Sequence, residues 1–217
     1  MRLALINPNT SADTTAAMVR IANEVASDEA RIAGFTAPFG AELITDEPSL
    51  DLADGAVRAM APELTGFDGV IVAAFGDPGR ESLLAQLEVP VAGIAEAGMA
   101  EAAAGGRRFA VVTTTPELRQ RISETAASHG HRNFAGTWTT GGDPAALMRD
   151  PDGLEDALES TITAAVGQAK VDAIIIGGGP LAVAARALAP RAPVPLIEPL
   201  PAAVRLVMAR ASDGHIP

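Results

Sequence analysis

Short apolar runs alternate with alanine-rich stretches along this chain, and that alternation constrains its fold more than any other feature. Five or six runs stand out, bounded by Gly, Pro or Thr: residues 3–6, 69–74, 89–94, 109–114, 173–177 and 192–197. Runs of this kind are typical of parallel strands buried on both faces, and the stretches between them are typical of crossover helices. The pattern predicts an α/β fold with mostly parallel sheets.

The strand pattern occurs twice. Residues 2–10 resemble 108–116, residues 67–79 resemble 171–182, and residues 89–103 resemble 192–206, at offsets of about 103 to 106 residues. Any parallel α/β chain echoes itself to some degree, but three matched segments in one order indicate two lobes of similar topology. We predict pseudo-symmetric lobes at 1–105 and 106–217, each a mostly parallel sheet flanked by helices. Terminal segments could exchange between the lobes.

Charge and hydropathy narrow the classes of partner. The chain has 16 basic and 27 acidic residues, a net charge of -11, which repels nucleic acid and anionic lipid. Its apolar stretches are interrupted too often for a membrane span, and the start, MRLALIN, is too short for a secretory signal. We therefore expect a cytoplasmic protein whose partner is a small molecule, with neither nucleic acid nor membrane involved.

The chain contains no cysteine, which excludes disulfides, thiolate nucleophiles and cysteine-ligated zinc. The single lysine, Lys170, precedes a predicted strand at the end away from where α/β sites form, so Schiff-base catalysis is disfavoured. His129, His131 and His215 lack metal-ligand spacing and are expected to be solvated surface residues. The sequence predicts neither a metal nor another cofactor.

Four loops follow predicted strands at the edge where ligands bind in open parallel sheets: 7–11, 74–79, 113–116 and 177–181. The first and third loops place Ser11 and Thr115 directly before predicted helices. The backbone N–H groups at the starts of these helices could hold a carboxylate or an imide oxygen, although Ser and Thr are also common helix caps. The second and fourth loops are glycine-rich but lack any phosphate-loop pattern, which favours a compact substrate over a nucleotide.

Six segments carry a family resemblance. They are INPNTS (6–11), PSLD (48–51), AAFGDPG (73–79), PVAGIAEAGM (90–99), RFAVVTTTPE (108–117) and IIIGGGPLA (174–182). In this order they resemble the aspartate/glutamate/hydantoin racemase superfamily, and the hydantoin racemase branch most closely. The resemblance implies two pseudo-symmetric lobes around the substrate, proton transfer without metal or pyridoxal phosphate, and a homo-oligomer.

The resemblance also implies one catalytic cysteine from each lobe, on opposite faces of the substrate carbon. The matching positions here are Ala74 and Gly178, and neither side chain can carry a proton. The internal repeat, compared without reference to the family, aligns the same two positions, each six residues past Asp68 or Asp172. Two-cysteine racemisation is therefore not possible with this sequence.

The remaining motif positions are candidates for substrate contact. They are Asn9, Ser11, Ser49, Phe75, Gly76, Asp77, Thr113, Thr114, Thr115, Gly179 and Pro180. At Pro180 and Leu181 the chain departs from the glycine and methionine that the family carries, which indicates a changed substrate.

Three acidic residues could replace the missing thiols. Asp77 lies in the predicted catalytic loop, either as a catalytic group or as the cap of a helix beginning at Pro78. Glu96 and Glu198 each lie just past a predicted strand, where ion-pair or helix-start roles are the alternative to catalysis.

Three functions fit these observations. The first is a racemase-like isomerase with a non-cysteine acid/base set, or a lyase or hydrolase, acting on a small carboxylate or a cyclic ureide such as a hydantoin. The second is a non-catalytic small-molecule-binding protein. The third is a racemase with an engineered change at Ala74, but the native-looking glycines around Gly178 argue against it.

Overall fold

A computed structural model describes residues 1–214 and contains two parallel four-stranded sheets. The first sheet consists of β1 (Arg2–Asn7), β2 (Arg31–Thr36), β3 (Gly69–Val72) and β4 (Val91–Gly93), in the order β2-β1-β3-β4. The second sheet consists of β5 (Phe109–Thr113), β6 (Phe134–Thr139), β7 (Ala173–Ile176) and β8 (Leu196–Ile197), in the order β6-β5-β7-β8. The equivalent strand orders confirm the predicted two-lobed α/β fold.

Nine α-helices in the described residues connect and cover the strands. They are α1 (Ala12–Ala26), α2 (Glu47–Ala59), α3 (Arg80–Leu84), α4 (Ile94–Ala103), α5 (Arg119–Ser128), α6 (Pro144–Leu147), α7 (Pro151–Ala169), α8 (Ala182–Leu188) and α9 (Pro199–Ser212). Short 3₁₀ turns include Pro116–Leu118 and Gly179–Leu181, each just after a strand end. Between residues 1 and 214, no helix is long and apolar enough to cross a membrane.

Each of the six predicted runs overlaps a strand, but β2 and β6 were not predicted. Both are edge strands, paired with a neighbour on one side only. Every residue of β6 is half-buried, and β2 begins at exposed Arg31 and contains Gly34. Because an edge strand needs no continuous apolar run, the pattern that indicates central strands is absent from these two.

The last helix of each half packs across to the other half of the molecule. Helix α9 follows β8 but packs against α1, β3 and β4 of the first sheet. Helix α4 follows β4 but contacts β7 and β8 of the second sheet. The two sheets therefore share a core to which both helices contribute, and the division at 105/106 stays a prediction.

The packing of α9 on the first sheet depends on a glycine. A Cβ atom at Gly69 would lie 2.7 Å from Val207 Cγ2 and 3.1 Å from Leu3 Cδ2, with all three residues buried. Gly69→Ala should therefore lower the free energy of unfolding by about 1–3 kcal/mol. Gly167→Ala is the control, because Gly167 lies in α7 with open space around it, and there alanine should stabilise by roughly 0.5–1 kcal/mol. Urea unfolding measures both, and equal effects would contradict this packing.

Candidate active site

The carboxyl ends of β1, β3, β5 and β7 surround a cavity between the two lobes. Its empty volume is about 570 Å³, part of it open to solvent. The four predicted loops all contribute to the lining, through Asn9, residues 73–75, residues 113–115 and residues 177–181. The cavity thus lies beyond the carboxyl ends of the parallel strands, where ligands bind in sheets of this kind.

Two of these loops, one from each lobe, touch one another. A Cβ atom at Gly179 would lie 2.7 Å from the carbonyl oxygen of Ala73, and one at Gly177 would lie 3.4 Å from the ring of Phe75. Only glycine permits backbone to approach backbone this closely at position 179. The small residues predicted for substrate approach thus also bring the two halves of the site together.

Asn9 supplies hydrogen-bond donors to the cavity. Its Oδ1 accepts hydrogen bonds from Asn7 Nδ2 at 2.6 Å and from the backbone N–H of Ser11 at 2.9 Å. These two donors fix the orientation of the Asn9 amide, since only an oxygen can accept both. Asn9 Nδ2 has no acceptor among residues 1–214, so it is available to a ligand.

A cluster of threonines follows β5. Thr113 Oγ1 and Thr115 Oγ1 lie 3.0 Å apart, and Thr113, Thr114 and Thr115 are all buried at the cavity. Within the described part of the chain, the backbone N–H groups of Ala74, Thr114 and Gly178 have no hydrogen-bond acceptor. Hydroxyl and N–H donors that converge on one small cavity can stabilise negative charge on a bound oxygen atom.

Apolar side chains form the walls above this polar floor. Leu43 and Ile44 come from the segment 37–46, between β2 and α2, while Leu118, Ile122 and Met148 come from the second lobe. The sequence does not indicate these five residues, because they lie outside the family motifs and away from strand ends. None of the described residues that line the cavity carries a titratable side chain.

Asp77 lies in the predicted loop, but its carboxylate is directed at a helix rather than at the cavity. Oδ1 accepts from Ala95 N–H and Oδ2 from Glu96 N–H, each at 2.8 Å, so Asp77 caps the start of α4. The predicted cap of a helix beginning at Pro78 is wrong, because the next helix, α3, begins at Arg80 after a Gly79 cap. Burial raises the pKa of Asp77 to about 7 against the opposing effect of the two N–H bonds.

The two candidate glutamates lie in ion pairs outside the cavity lining. Glu96 is buried and pairs with Arg80 Nε at 2.9 Å and Arg210 Nη2 at 2.7 Å. Burial alone would raise the pKa of Glu96, but the Arg210 hydrogen bond and the Arg80 charge hold it below its ordinary value. Glu198 accepts a hydrogen bond from Arg186 Nε at 2.9 Å. These contacts are the ion-pair alternative considered from the sequence.

Three further candidates, Ser11, Ser49 and Gly76, lie outside the cavity lining. Ser11 caps α1, its Oγ accepting from Thr14 N–H at 3.2 Å, and it borders an adjoining groove. Ser49 forms a capping box with Asp46 at the start of α2. Gly76 lies beneath Leu50, at the edge of a separate depression.

Among the histidines, His129 is exposed, but the prediction of a solvated residue was wrong for His131. The His131 ring is half-buried and packs edge-on against Phe109, 5.5 Å between ring centroids. His215 lies outside the described residues.

The two positions that match the family's cysteines, Ala74 and Gly178, both line the cavity, but their backbones differ. Gly178 has φ 141° and ψ 128°, a conformation essentially restricted to glycine. Ala74 is half-buried, with no positive φ. The loop at Gly178 is therefore built for glycine, whereas the position of Ala74 could accept a larger side chain.

Restoring the two thiols separately should have unequal effects on stability. Gly178→Cys should lower the free energy of unfolding by about 1–3 kcal/mol because of backbone strain, and Gly178→Ala should do the same without a thiol. Ala74→Cys should change it by less than about 1 kcal/mol. Urea unfolding under reducing conditions gives these values, and equal costs at both positions would show that the Gly178 backbone is not constrained.

Comparison with known proteins identifies the family. The family model described as Asp/Glu/Hydantoin racemase matches residues 3–207. A hydantoin racemase from Pseudomonas sp. (strain NS671) is 26% identical over 208 residues, covering 94% of this chain and 84% of the relative. The crystal structure of an allantoin racemase from Pseudomonas fluorescens has a TM-score of 0.93 at 30% identity, covering 99% of this chain and 92% of that one. An arylmalonate decarboxylase structure shares the fold, with a TM-score of 0.68 at 17% identity, covering 99% and 94%. This chain belongs to the Asp/Glu/hydantoin racemase family.

Proposed function

We propose that this chain is a cofactor-independent enzyme that forms an enolate on a small carboxylate or cyclic ureide and takes the returning proton from water. The observation that carries this proposal is the cavity lining, which contains hydrogen-bond donors but no titratable side chain among the described residues. The similarity to hydantoin and allantoin racemases supports the substrate class, because both names denote cyclic ureides.

The donors of the cavity floor suit an enolate oxygen. The Thr113 and Thr115 hydroxyls and the Asn9 amide lie at strand ends, where the surrounding backbone holds them in place. Preorganised donors in a site that excludes much of the water stabilise developing negative charge more strongly than water does. The floor can thus favour any reaction in which charge moves onto a carbonyl oxygen next to the reacting carbon.

Cleavage fits this site better than racemisation. Racemisation requires a group that removes the α-proton and another that returns one on the opposite face, and no lining side chain can do either. In a decarboxylation, the bond between the α-carbon and the carboxylate breaks, its electron pair becomes the enolate, and CO₂ leaves. Water then protonates the carbon, and the hydroxide formed combines with CO₂ as bicarbonate, so no side-chain base is needed.

The apolar walls favour the same step and define the substituent. Ile44, Leu118 and Ile122 offer a carboxylate no charged partner, which favours its conversion to neutral CO₂. Among the described residues no Lys, Arg or His lines the cavity, and Arg149 lines only the adjoining groove, so a second carboxylate at the cavity floor would have no cationic partner. We therefore expect an uncharged, apolar substituent on the reacting carbon.

A second candidate is non-catalytic binding of the same ligands, which the absence of acid/base side chains from the described cavity lining also favours. The two candidates are separated by supplying alkyl- or aryl-substituted malonate half-amides and hydantoin-5-carboxylates, each with a single carboxylate, in D₂O. We expect CO₂ release and one deuterium on the product carbon, detected by mass spectrometry. Binding without turnover would favour the non-catalytic binding protein. Exchange of the α-hydrogen for deuterium in hydantoins without cleavage would reveal a base and contradict the proposed enzyme.

A threonine pair tests the role of the cavity floor. Thr113→Val removes a hydroxyl at the cavity with little change of shape, and kcat should fall about 10²–10³-fold. Thr137→Val is the matched control, because the Thr137 hydroxyl is buried, has no hydrogen-bond partner in the described chain, and does not line the cavity. Its kcat should be unchanged. Equal effects of the two substitutions on kcat would show that the Thr113 hydroxyl does not stabilise the enolate.

A further inference from the structure

An ion-pair cluster joins the two lobes beside the cavity. Arg121 in α5 donates to Glu47 Oε2 of α2 through Nη2 at 2.6 Å and Nε at 3.0 Å. The same Nη2 reaches Asp51 Oδ1 at 3.2 Å. One guanidinium from the second lobe thus contacts two carboxylates on a single helix of the first lobe.

Each side of this ion-pair cluster is close in sequence to residues that line the cavity. Glu47 begins α2, and the segment 37–46 immediately before it carries Leu43 and Ile44 into the first-lobe wall. Ile122, the next residue after Arg121, belongs to the opposite wall. The distance between the walls is therefore coupled to the Arg121 ion pairs.

The segment 37–46 contains no helix or strand. Its first half bonds to β1 and the loop after it, through Ala37 N–H to the Asn7 carbonyl and Thr10 N–H to the Ala41 carbonyl. Its second half bonds to α2, because Thr45 N–H and Asp46 N–H donate to Ser49 Oγ and the Asp46 carbonyl accepts from Leu50 N–H, and Ile44 packs against the core. Two residues in its middle, Phe39 and Gly40, are exposed. The end that carries Leu43 and Ile44 thus depends on its connection to the start of α2.

We propose that Arg121 is a positioning residue that clasps the segment 37–46 over the cavity and so controls access to the cavity floor. The side chains of Arg121, Glu47 and Asp51 are 36%, 39% and 71% exposed, so water and salt weaken their attraction. Partly exposed ion pairs shift an equilibrium only a few-fold, which suits a clasp that opens and closes reversibly. The other ion pairs between the two halves of the described chain join Arg186 to Glu24, Arg205 to Glu101 and Arg210 to Glu96, and none of them involves a residue of this segment.

The absence of cysteine from the chain makes a direct test possible. Ala74→Cys places one reporter thiol at the cavity, and its rate of modification by a thiol reagent measures access to the floor. Adding Arg121→Met should raise that rate about three- to tenfold. Arg191→Met is the matched control, because Arg191 also pairs with two carboxylates, those of Glu155 and Glu159, but all three residues lie in the second lobe.

Salt provides a second readout. Raising NaCl from roughly 0.05 to 0.5 M should speed modification when Arg121 is present and have little effect in Arg121→Met, because the screened interaction is already gone. A separate reporter, Ala165→Cys in the buried face of α7, detects unfolding and should react equally slowly in both backgrounds.

Three results would overturn the clasp. They are equal Ala74→Cys rates in the Arg121→Met and Arg191→Met proteins, a rate in the intact protein equal to that of a free thiol, and an increase accompanied by equal exposure of the Ala165→Cys reporter. The inference rests on the cavity being the proposed site, but the labelling rates require no ligand. Failure to find a substrate would therefore leave the clasp standing, and failure of the clasp would leave the proposed chemistry standing.

Discussion

The close contact between the loops after β3 and β7 is the constraint on which the rest of this structure depends. At Gly179 the backbone of the second lobe lies so near the Ala73 carbonyl that a methyl group would not fit, and Gly177 packs against the Phe75 ring. This contact brings the strand ends of both sheets around one cavity. It also places Ala74 and Gly178, one from each lobe, at the lining of the same small volume.

The acidic side chains nearest to the cavity in sequence bind other parts of the fold, and this limits the chemistry available in the cavity. Asp77, in the loop after β3, caps α4, while Glu96 at the start of α4 binds Arg80 of α3 and Arg210 of α9. The carboxylates nearest to the cavity in sequence thus hold α4 and α9 in place. Removing the partner of either carboxylate would leave a buried charge uncompensated. Asp77 and Glu96 therefore stabilise the fold and do not serve as catalytic bases. The hydrogen-bond donors of the cavity floor are neutral. Because these donors are neutral and the carboxylates are bound elsewhere, we propose water as the proton source.

Much of the fold followed from the sequence, because central parallel strands require continuous apolar runs and the repeat related the two sheets. The cavity floor followed as well, since ligands bind at the carboxyl ends of such strands. The partners of Asp77 and Glu96 did not, because they lie far along the chain, up to 114 residues away for Arg210. The apolar wall residues Leu43 and Met148 come from connecting segments, where no periodicity indicates which side chain turns inward.

A crystal structure with a bound, unreactive substrate analogue would show whether water is the proton source, through the distances from the α-carbon of the analogue to every side chain. We expect Asn9, threonine hydroxyls and backbone N–H groups at the carbonyl oxygen of the analogue, with water as the only proton donor within about 3.2 Å of the open face of the α-carbon. A carboxylate or imidazole within that distance of the α-carbon would contradict this expectation, because the site would then contain the side-chain base that the described cavity lining lacks.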